Sequence, residues 1–210
     1  MIGGMLAEVL FPGSCPGCGS EGADALCGGC EAELPRWAVP LPVVPECVES
    51  AWVLGPYSGP LGHMVRRAKY RPDERSARFL AGLARRRLGR VWSDIDVVVG
   101  VPQAAGTSRR RLFSPVDLLA REVAREVGAT WSRPLRRVGG RSLAGLPGRR
   151  RREEVRGQFV LRGGRLPAKP HLLIDDVVTS GATSSEVAKL LLQGGASEVH
   201  LIAVASPDIN

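Results

Sequence analysis

The segment HLLIDDVVTSGATSSEVAKLL, residues 171–191, constrains the fold more than any other part of the sequence. Residues 172–175, which begin with three apolar side chains, are typical of a buried strand that ends in the acidic pair Asp175 and Asp176. A loop of small and hydroxylated residues follows, and then an amphipathic helix. A strand, a loop and a helix in this order predict one βα unit of a parallel sheet.

Neighbouring segments repeat this alternation. DIDVVVGVP, residues 94–102, is a continuous apolar run of the kind that is buried on both faces in a parallel sheet. A helix is predicted after it, with Pro115 at its start and Gly128 as its stop signal. Beyond residue 191, two glycines end the helix and VHLIAVA predicts a further strand. This order predicts right-handed βαβ units and therefore an α/β fold with a central parallel sheet.

The rest of the chain is less regular. Composition separates a small N-terminal region, residues 1–48, which holds all five cysteines, from a main domain, residues 49–210. The stretch LPRWAVPLPVVPEC, residues 34–47, is Pro-rich and indicates a linker or extended cover rather than packed core. Between residues 51 and 90 we expect a short apolar run, a turn at YSGPLG and an Ala/Leu/Arg-rich helix. Residues 129–169, rich in Arg and Gly, predict no regular element and are expected to be mobile.

The loop VTSGAT, residues 178–183, has the features of an anion site. Its glycine permits positive φ, and its backbone N–H groups can converge on an anion where the helix macrodipole favours negative charge. It lacks the lysine of a Walker loop and the glycines of a dinucleotide fingerprint. The adjacent carboxylates can accept hydrogen bonds from vicinal hydroxyls, and Mg²⁺ can neutralise local charge while bridging to a diphosphate. The alternative is a Rossmann-like turn with incidental acids.

LLIDDVVTSGAT resembles the phosphoribosyl diphosphate (PRPP) loop of type I phosphoribosyltransferases. Over nearly its full length the chain resembles the ComF family of competence-associated, phosphoribosyltransferase-like proteins. In the Arg-Gly-Phe-Asn-Gln box of that family, Leu112, Ser114 and Pro115 replace amide and glycine residues, which removes side chains that could contact an acceptor or the diphosphate. The other matching features are the cysteine-rich N-terminus, an Arg-rich stretch, Tyr57, Gly59, Lys69, Tyr70, Val101, Pro102, Arg111 and Phe113.

The resemblance implies a type I phosphoribosyltransferase fold with a central parallel sheet, plus a small N-terminal zinc ribbon. It implies binding of PRPP with Mg²⁺, transfer of the phosphoribosyl group to an unknown acceptor, and an association with natural competence and DNA uptake. The PRPP-binding residues that it implies are Asp175, Asp176, Val177, Thr179, Ser180, Gly181, Ala182, Thr183, Pro102 and Gln103.

The resemblance also implies roles within the site. Residues 179–183 would hold the 5′-phosphate and the acidic pair the ribose hydroxyls, while the turn after Val101 would hold the diphosphate and Mg²⁺. The chemistry would pass through an oxocarbenium-like state, in which positive charge near the leaving diphosphate is favourable. Arg111 and Lys69 are the candidates for that charge, and a solvated surface position is the alternative for each. The implied catalytic residues are Asp175, Asp176, Arg111 and Lys69.

The stretch CPGCGSEGADALCGGC contains two Cys-x-x-Cys pairs separated by eight residues. Two such pairs predict one closed, tetrahedral Zn²⁺ site of the structural type. Disulfides are one alternative, but nothing in the sequence points to an oxidising compartment. A redox-active pair is another, although it would not need the second pair. Cys47 is left over and is expected to be a free thiol; the predicted zinc ligands are Cys15, Cys18, Cys27 and Cys30.

Arginine dominates the charge of the chain, whose formal net charge is +8. A coding preference for arginine would explain this excess, but a basic surface also attracts polyanions. The alternative is therefore that the protein is not an enzyme. It would sense PRPP and bind single-stranded DNA, or other proteins of the DNA-uptake machinery. The stretch from Arg133 to Arg156 contains nine arginines and two acidic residues. Three interpretations of it are open: a solvated loop, a lid over PRPP, or a surface that binds nucleic acid. Only 5% of residues are aromatic, which gives base stacking little support.

The remaining features indicate a cytoplasmic protein with structural histidines. His63, His171 and His200 share no metal-ligand spacing. No apolar run approaches the roughly 20 residues that cross a bilayer, so we expect no membrane insertion. The apolar start of the chain lacks the basic segment of a signal peptide.

Overall fold

The computed structural model describes residues 13–21, 26–70, 74–87, 94–103, 114–139 and 153–209. The helices are α1 Gly28–Ala32, α2 Gly59–Tyr70, α3 Glu74–Arg87, α4 Pro115–Val127 and α5 Ala182–Gly194. The strands are β1 Val39–Pro40, β2 Ser50–Val53, β3 Val97–Gly100, β4 Thr130–Ser132, β5 Leu135–Arg137, β6 Phe159–Leu161, β7 Pro170–Val177 and β8 Glu198–Ala205. Within these ranges, no helix has the length and apolar character needed to span a membrane.

The main sheet has the strand order β1-β2-β8-β7-β3-β4. Its neighbouring strands are parallel except for the antiparallel pair β1–β2. At its centre, Leu173 of β7 is paired with Val99 of β3 on one side and with Leu201 of β8 on the other. Strands β5 and β6 form a separate antiparallel pair. The predicted α/β fold with a central, mostly parallel sheet is therefore confirmed, and the carboxyl ends of the parallel strands meet at one edge.

Side chains of β7 alternate between two apolar layers, as the two-residue period of a strand requires. Leu172 and Ile174 pack in the layer formed with α2, α3 and α4. Leu173 packs in the other layer, which α5 and the β5–β6 pair cover. Because the alternation continues, Asp175 points to the α5 face of the sheet and Asp176 points to the face covered by α2 and α4.

Helix α4 begins and ends where its sequence signals predict. The side chain of Ser114 accepts a hydrogen bond from the backbone N–H of Asp117 at 3.2 Å, and Pro115 occupies the first turn. Gly128 ends the helix with a φ of 72°, a conformation that favours glycine. This helix leads the chain from β3 back to the start of β4, so it completes a βαβ unit.

Helix α2 differs from the sequence prediction, which placed only a turn at residues 57–62. Pro60 is tolerated because it lies in the first turn, where a helix leaves N–H groups without intrahelical partners. Gly62 is needed for a close approach, since a Cβ at that position would lie 2.8 Å from the backbone of Tyr57. Pro60 and Gly62 interrupt the sequence pattern, so the helical spacing of the apolar positions is hard to recognise. Those positions are Leu61, Met64, Val65 and Ala68.

Two irregular segments of the sequence contribute strands. β4, β5 and β6 lie within residues 129–169, where no regular element was predicted. Residues 140–152 are outside the described ranges, so the mobility expected of this segment stays a prediction. In the Pro-rich segment, Val39 of β1 pairs with Val53 of β2. That segment adds an edge strand to the main sheet, and the domain boundary at residue 48 stays a prediction.

Candidate functional site

Two loops meet at the carboxyl edge of the sheet. β7 continues into the loop of residues 178–181, and the adjacent strand β3 continues into Val101, Pro102 and Gln103. The backbone N–H of Val101 donates to the carbonyl of Ile174 at 2.8 Å, which holds the two loops side by side. The acidic pair, the hydroxyl-rich loop and the turn after β3 therefore lie together.

Asp175 is a buried carboxyl group at this edge, only 7% exposed. The hydroxyl of Ser184, in the first turn of α5, donates to its Oδ2 at 3.5 Å, and its Oδ1 accepts from the backbone N–H of Asp176 at 2.8 Å. Burial and then the negative charge of Asp176 raise the pKa of Asp175 to about 7, although the charge of Lys69 acts in the opposite direction. Asp175 therefore changes charge near neutral pH.

Asp176, on the other face, is held by two side chains. Nζ of Lys69, in the last turn of α2, donates to Oδ1 at 2.9 Å. Nε2 of Gln103 donates to Oδ2 at 3.1 Å. Because the side chain of Lys69 is 31% exposed and that of Asp176 15% exposed, water screens this ion pair only in part. Lys69 is thus a partly buried ion-pair partner rather than a solvated surface charge.

The hydroxyl-rich loop leads directly into α5, whose N-cap residue is Gly181. The φ of Gly181 is 69°, no side chain caps the helix, and its first turn contains no acidic residue. Thr179 and Ser180 are exposed, whereas Ala182 is buried. The first N–H groups of a helix have no intrahelical partners, and together with the macrodipole they favour an anion. Val177 and Thr183, at the two ends of the loop, are half-buried.

The Pro-rich segment packs on this loop through Pro45. Pro45 is buried, and a Cβ built on Gly181 would lie 3.0 Å from its ring. Pro45 also begins a turn, in which its carbonyl accepts from the N–H of Val48 at 3.2 Å and Cys47 has a φ of 63°. Sequence reasoning missed this contact because nothing in the pattern of the Pro-rich segment indicates which loop it covers.

A small apolar cavity, of about 10 Å³, lies beside Asp176 on the side of α2 and α4. It has room for about one water molecule, but its walls offer few of the polar partners that an ordered water needs. The ion pair of Lys69 and Asp176 therefore has an apolar neighbourhood, in which electrostatic attraction is stronger than in water. The apolar walls include Val65, Ala68, Leu80, Val116, Leu119 and Val204.

Arg111, the second candidate for a catalytic cation, lies in residues 104–113, outside the described ranges.

The three histidines bond to groups of the protein itself. Nδ1 of His200 lies 2.9 Å from the hydroxyl of Ser50, and Nδ1 of His171 bonds to the carbonyl of Lys169 at 2.8 Å. Nδ1 of His63 bonds to the carbonyl of Gly17. These contacts are those of structural histidines.

Ser184 is a residue of the site that sequence reasoning did not identify. It is buried, and Val187, Ala188 and Leu191 follow it on the same core-facing side of α5. A hydroxyl at a core-facing helical position needs a hydrogen-bond partner, and Asp175 is that partner. The apolar period of the helix was therefore the signal that could have found it.

The four cysteines of the two Cys-x-x-Cys pairs converge on one point. Their sulfur atoms all lie within 4.8 Å of one another, and those of Cys18 and Cys27 are 3.7 Å apart. Four sulfurs around a tetrahedral zinc ion would be separated by about 3.8 Å. None of the five cysteines forms a disulfide. The donor set and its spacing fit a four-thiolate metal site.

The surroundings of the sulfurs also fit a cation. The backbone N–H of Cys27 donates to Sγ of Cys15 at 3.3 Å. Burial raises the pKa of Cys15, but hydrogen bonds from backbone groups of Cys18, Cys27 and Gly17 outweigh it and lower the pKa to about 6. Burial, and then the neighbouring thiols, raise the pKa of Cys30. A metal ion allows all four sulfurs to be thiolates at once.

Proteins of similar sequence cover most of the chain, although no model of a known protein family matches it. Competence protein F of Haemophilus influenzae is 27% identical over 206 residues, which cover 91% of this chain and 85% of that protein. DNA utilization protein YhgH of Salmonella typhimurium is 32% identical over 200 residues, which cover 89% of this chain and 81% of that protein. The chain belongs to the ComF family.

Solved structures similar to this ComF chain include a purine phosphoribosyltransferase from Pyrococcus horikoshii. It is 16% identical, with a TM-score of 0.37, and the match covers 70% of this chain and 85% of that one. The ComF chain itself combines a mostly parallel sheet with a cluster of four cysteines on its N-terminal side. These are the two parts of the architecture that its sequence predicts.

Proposed function

We propose that this ComF protein binds PRPP with Mg²⁺ at the carboxyl edge of its sheet and transfers the phosphoribosyl group to an acceptor not yet identified. The observation that carries the proposal is the acidic pair. Asp175 and Asp176 point to opposite faces of β7, and a short loop then leads into a helix that no side chain caps. A ligand that joins a phosphate, vicinal hydroxyls and a diphosphate matches this order of groups.

The phosphate end of the ligand is proposed to bind residues 179–183. The start of α5 offers N–H groups that no side chain caps, and no acid in its first turn opposes an anion. The exposed Thr179 and Ser180 place hydroxyls beside these N–H groups. Gly181 lets the loop enter the helix in a left-handed conformation, which brings successive N–H groups toward one point.

The ribose hydroxyls are proposed to donate to Asp175 and Asp176. Hydrogen bonds to a carboxylate favour its ionised form, so the ligand would lower the pKa of Asp175 from its value of about 7. Ser184 already orients this carboxyl group from the α5 side. The site therefore gains negative charge where the hydroxyls bind, which favours the positive charge that develops on the ribose during transfer.

Lys69 and Gln103 are proposed to act at the diphosphate end. Both side chains hold Asp176, so both lie where β3 and β7 meet. A lysine ammonium at this position can stabilise the leaving diphosphate. Mg²⁺, when bound, would neutralise the diphosphate, and the carboxylate oxygens of Asp175 and Asp176 are ligands of the type that it prefers.

For the four cysteines we propose Zn²⁺ in a structural role. A four-thiolate set leaves no open position for a substrate or a water, so it does not suit catalysis by the metal. Such a site stabilises the fold directly, because its ligands come together only in the folded state.

Calorimetry with PRPP tests the proposed binding site. We expect the wild-type protein to bind PRPP in MgCl₂ and to lose most of this affinity in EDTA. The double variant Asp175→Asn with Asp176→Asn should not bind. Asp96→Asn is the matched control, because Asp96 is a half-buried carboxylate just before β3, at the opposite edge of the same sheet. Equal affinity in the wild type and the double variant would rule out this site.

A second candidate function is a non-catalytic role in DNA uptake, in which the protein senses PRPP and binds single-stranded DNA. The names of the two relatives refer to DNA utilization and to competence. Around the β5–β6 pair, Arg136, Arg156 and Arg162 are exposed. Other arginines of the region have protein partners, since Arg133 pairs with Asp117 at 3.2 Å and Arg137 bonds to Gln158. Five further arginines of the stretch from Arg133 to Arg156 lie in residues 140–152, outside the described ranges.

A salt series distinguishes this second candidate from transfer. If the protein binds single-stranded DNA through phosphates, replacing Arg136 and Arg162 by Ser should flatten the dependence of log K on log salt by roughly one unit for each arginine. Arg125→Ser is the control, because Arg125 is exposed on α4 and pairs with Glu122. Diphosphate release from PRPP with a panel of acceptors, measured in parallel, would favour the transferase.

A further inference from the structure

The first cysteine pair packs against helix α2. The carbonyl of Gly17, which lies between Cys15 and Cys18, accepts a hydrogen bond from Nδ1 of His63. A Cβ at Gly17 would lie 3.0 Å from Pro60 and 2.9 Å from Sγ of Cys30, so the backbone here is pressed between the helix and the cluster. The position of this pair therefore depends on α2.

The second pair is tied to α3. Cys30 lies in α1, and the next residue, Glu31, accepts a hydrogen bond from Nη2 of Arg87 at 2.9 Å. The side chain of Arg87 is 6% exposed, so its charge is nearly buried and depends on this partner. The carbonyl of Arg87 also accepts from the N–H of Ala38 at 3.2 Å. The two cysteine pairs are thus docked on two adjacent helices.

Helix α2 continues from this contact to the candidate ligand site. His63 lies near its middle, and Lys69, in its last turn, pairs with Asp176 at 2.9 Å. The helix has a buried core face along its length, formed by Leu61, Met64, Val65 and Ala68. The segment that carries the first cysteine pair therefore contacts the N-terminal half of this helix, and Asp176 contacts its last turn.

We propose that His63 and Arg87 are positioning residues that couple the metal site to the PRPP site. With a metal at the four cysteines, both pairs are fixed and hold α2 so that Lys69 stays against Asp176. Without it, the Gly-rich segment that carries the cysteines has few buried side chains to fix it, and α2 loses its support at Gly17. The role in PRPP binding rests on the function proposed above, whereas the effect on α2 does not.

Thermodynamic linkage gives the first test. If the metal strengthens PRPP binding by some factor, PRPP must strengthen metal binding by the same factor. We expect a factor on the order of tenfold, a typical size for such coupling. PRPP affinity is measured by calorimetry in MgCl₂, with zinc-loaded protein and with protein from which a chelator has removed the zinc and has then itself been removed. Zinc affinity is measured by competition with a chromophoric chelator with and without PRPP. PRPP affinity that is unchanged by chelation, in protein that binds PRPP, would overturn the coupling.

Variants at His63 separate positioning from metal binding itself. His63→Ala should keep one zinc at saturating metal but reduce the coupling factor, while His63→Asn, whose amide can replace the Nδ1 donor, should restore it. His200→Ala is the control, because it removes a comparable bond, that to Ser50, away from the cysteines. Arg87→Gln should likewise reduce the coupling, and Arg85→Gln should not, since Arg85 is exposed on the same helix. Coupling that survives both His63→Ala and Arg87→Gln would refute the proposal.

Hydrogen–deuterium exchange of the full-length protein tests α2 without any ligand. Chelation, and His63→Ala with zinc retained, should both increase exchange in residues 59–70 more than in β7 and β8, which serve as the internal reference. If chelation unfolds the whole protein, the zinc-retaining variant decides the matter. If PRPP does not bind at all, the proposed function fails, and exchange in α2 still supports or refutes the positioning role. Unchanged exchange in α2 in both samples would refute it.

Discussion

Two neighbouring carboxylates acquire different environments because successive side chains of a strand point to opposite faces. Asp175 faces the buried hydroxyl of Ser184, and Asp176 faces the ammonium of Lys69 and the amide of Gln103. Burial raises the pKa of Asp175 to about 7, so this carboxyl group is poised to gain or lose a proton under ordinary conditions. A comparison of wild type with a variant that cannot ionise at this position should therefore isolate the contribution of Asp175 to the pH dependence.

The first prediction concerns that dependence in the absence of ligand. Because the pKa of Asp175 is raised from 3.8 to about 7, the folded state keeps a proton that the unfolded state releases in this interval. The resulting stabilisation is fully present below about pH 4 and is lost as the pH rises to about 7. Asp175→Asn cannot ionise, so its free energy of unfolding should rise relative to that of wild type between about pH 4 and about pH 7, by at least about 1 kcal/mol.

Urea unfolding at a series of pH values measures this difference. Asp96→Asn is again the control, since its carboxyl group pairs with Lys169 at the other edge of the sheet. Stability curves of wild type and Asp175→Asn that run parallel across the interval would contradict the raised pKa.

At the scale of elements, the entry to α5 depends on one glycine and on the segment that packs over it. Gly181 has a left-handed conformation, and Pro45 lies against the position that its Cβ would occupy. The strand before it and the helix after it are fixed by the two apolar layers of the core. The loop between them has little freedom to absorb a side chain at this position.

The second prediction follows from that geometry. Gly181→Ala should lower the free energy of unfolding by about 1–2 kcal/mol, the usual cost of a left-handed residue with a Cβ, and should weaken PRPP binding by displacing the loop. Gly164→Ala is the matched control, because a Cβ there meets no atom within 4 Å. Thermal unfolding and calorimetry on both variants measure the two effects. A Gly181→Ala protein as stable as the Gly164→Ala protein would contradict both the left-handed conformation of Gly181 and its close contact with Pro45.

At the scale of the whole molecule, the cysteine cluster adds a second source of stability to the apolar core. Residues 13–21 and 26–33, the described part of the cysteine region, contribute few large buried side chains apart from Cys15 and Cys30 themselves. A metal ion can supply the missing stabilisation, because structural zinc contributes folding free energy directly. Its loss should then be felt at the helices on which the cluster packs.

The third prediction is the effect of removing the metal. Protein purified without chelator should contain about one zinc per chain, as expected for a four-thiolate site. Chelation, or replacement of Cys15 and Cys27 by Ser, should lower the Tm and increase exchange in residues 13–33. Cys47→Ser, at an exposed cysteine outside the cluster, should change neither zinc content nor Tm. Zinc-free protein with an unchanged Tm would contradict a structural site.

Sequence alone determined the features that arise from local chemistry. The apolar run ending in Asp175 and Asp176 predicted β7 and the helix α5 after it, and Pro115 and Gly128 predicted the two ends of α4. Such signals work because strand burial, capping and glycine conformation are set by residues close together in the chain. The paired Cys-x-x-Cys spacing likewise predicted one cluster of four sulfurs, since short loops bring their ends together at little entropic cost.

Only the tertiary structure decided which distant groups meet. The pairing of Lys69 with Asp176, the position of Pro45 on Gly181 and the bond from His63 to Gly17 join residues far apart in sequence, and no local pattern records such contacts. The same holds for α2, whose helical period is hidden by glycine and proline but stabilised by packing against the sheet. Burial at the carboxyl edge, rather than residue type, sets the raised pKa of Asp175, because desolvation depends on every element that packs around the group.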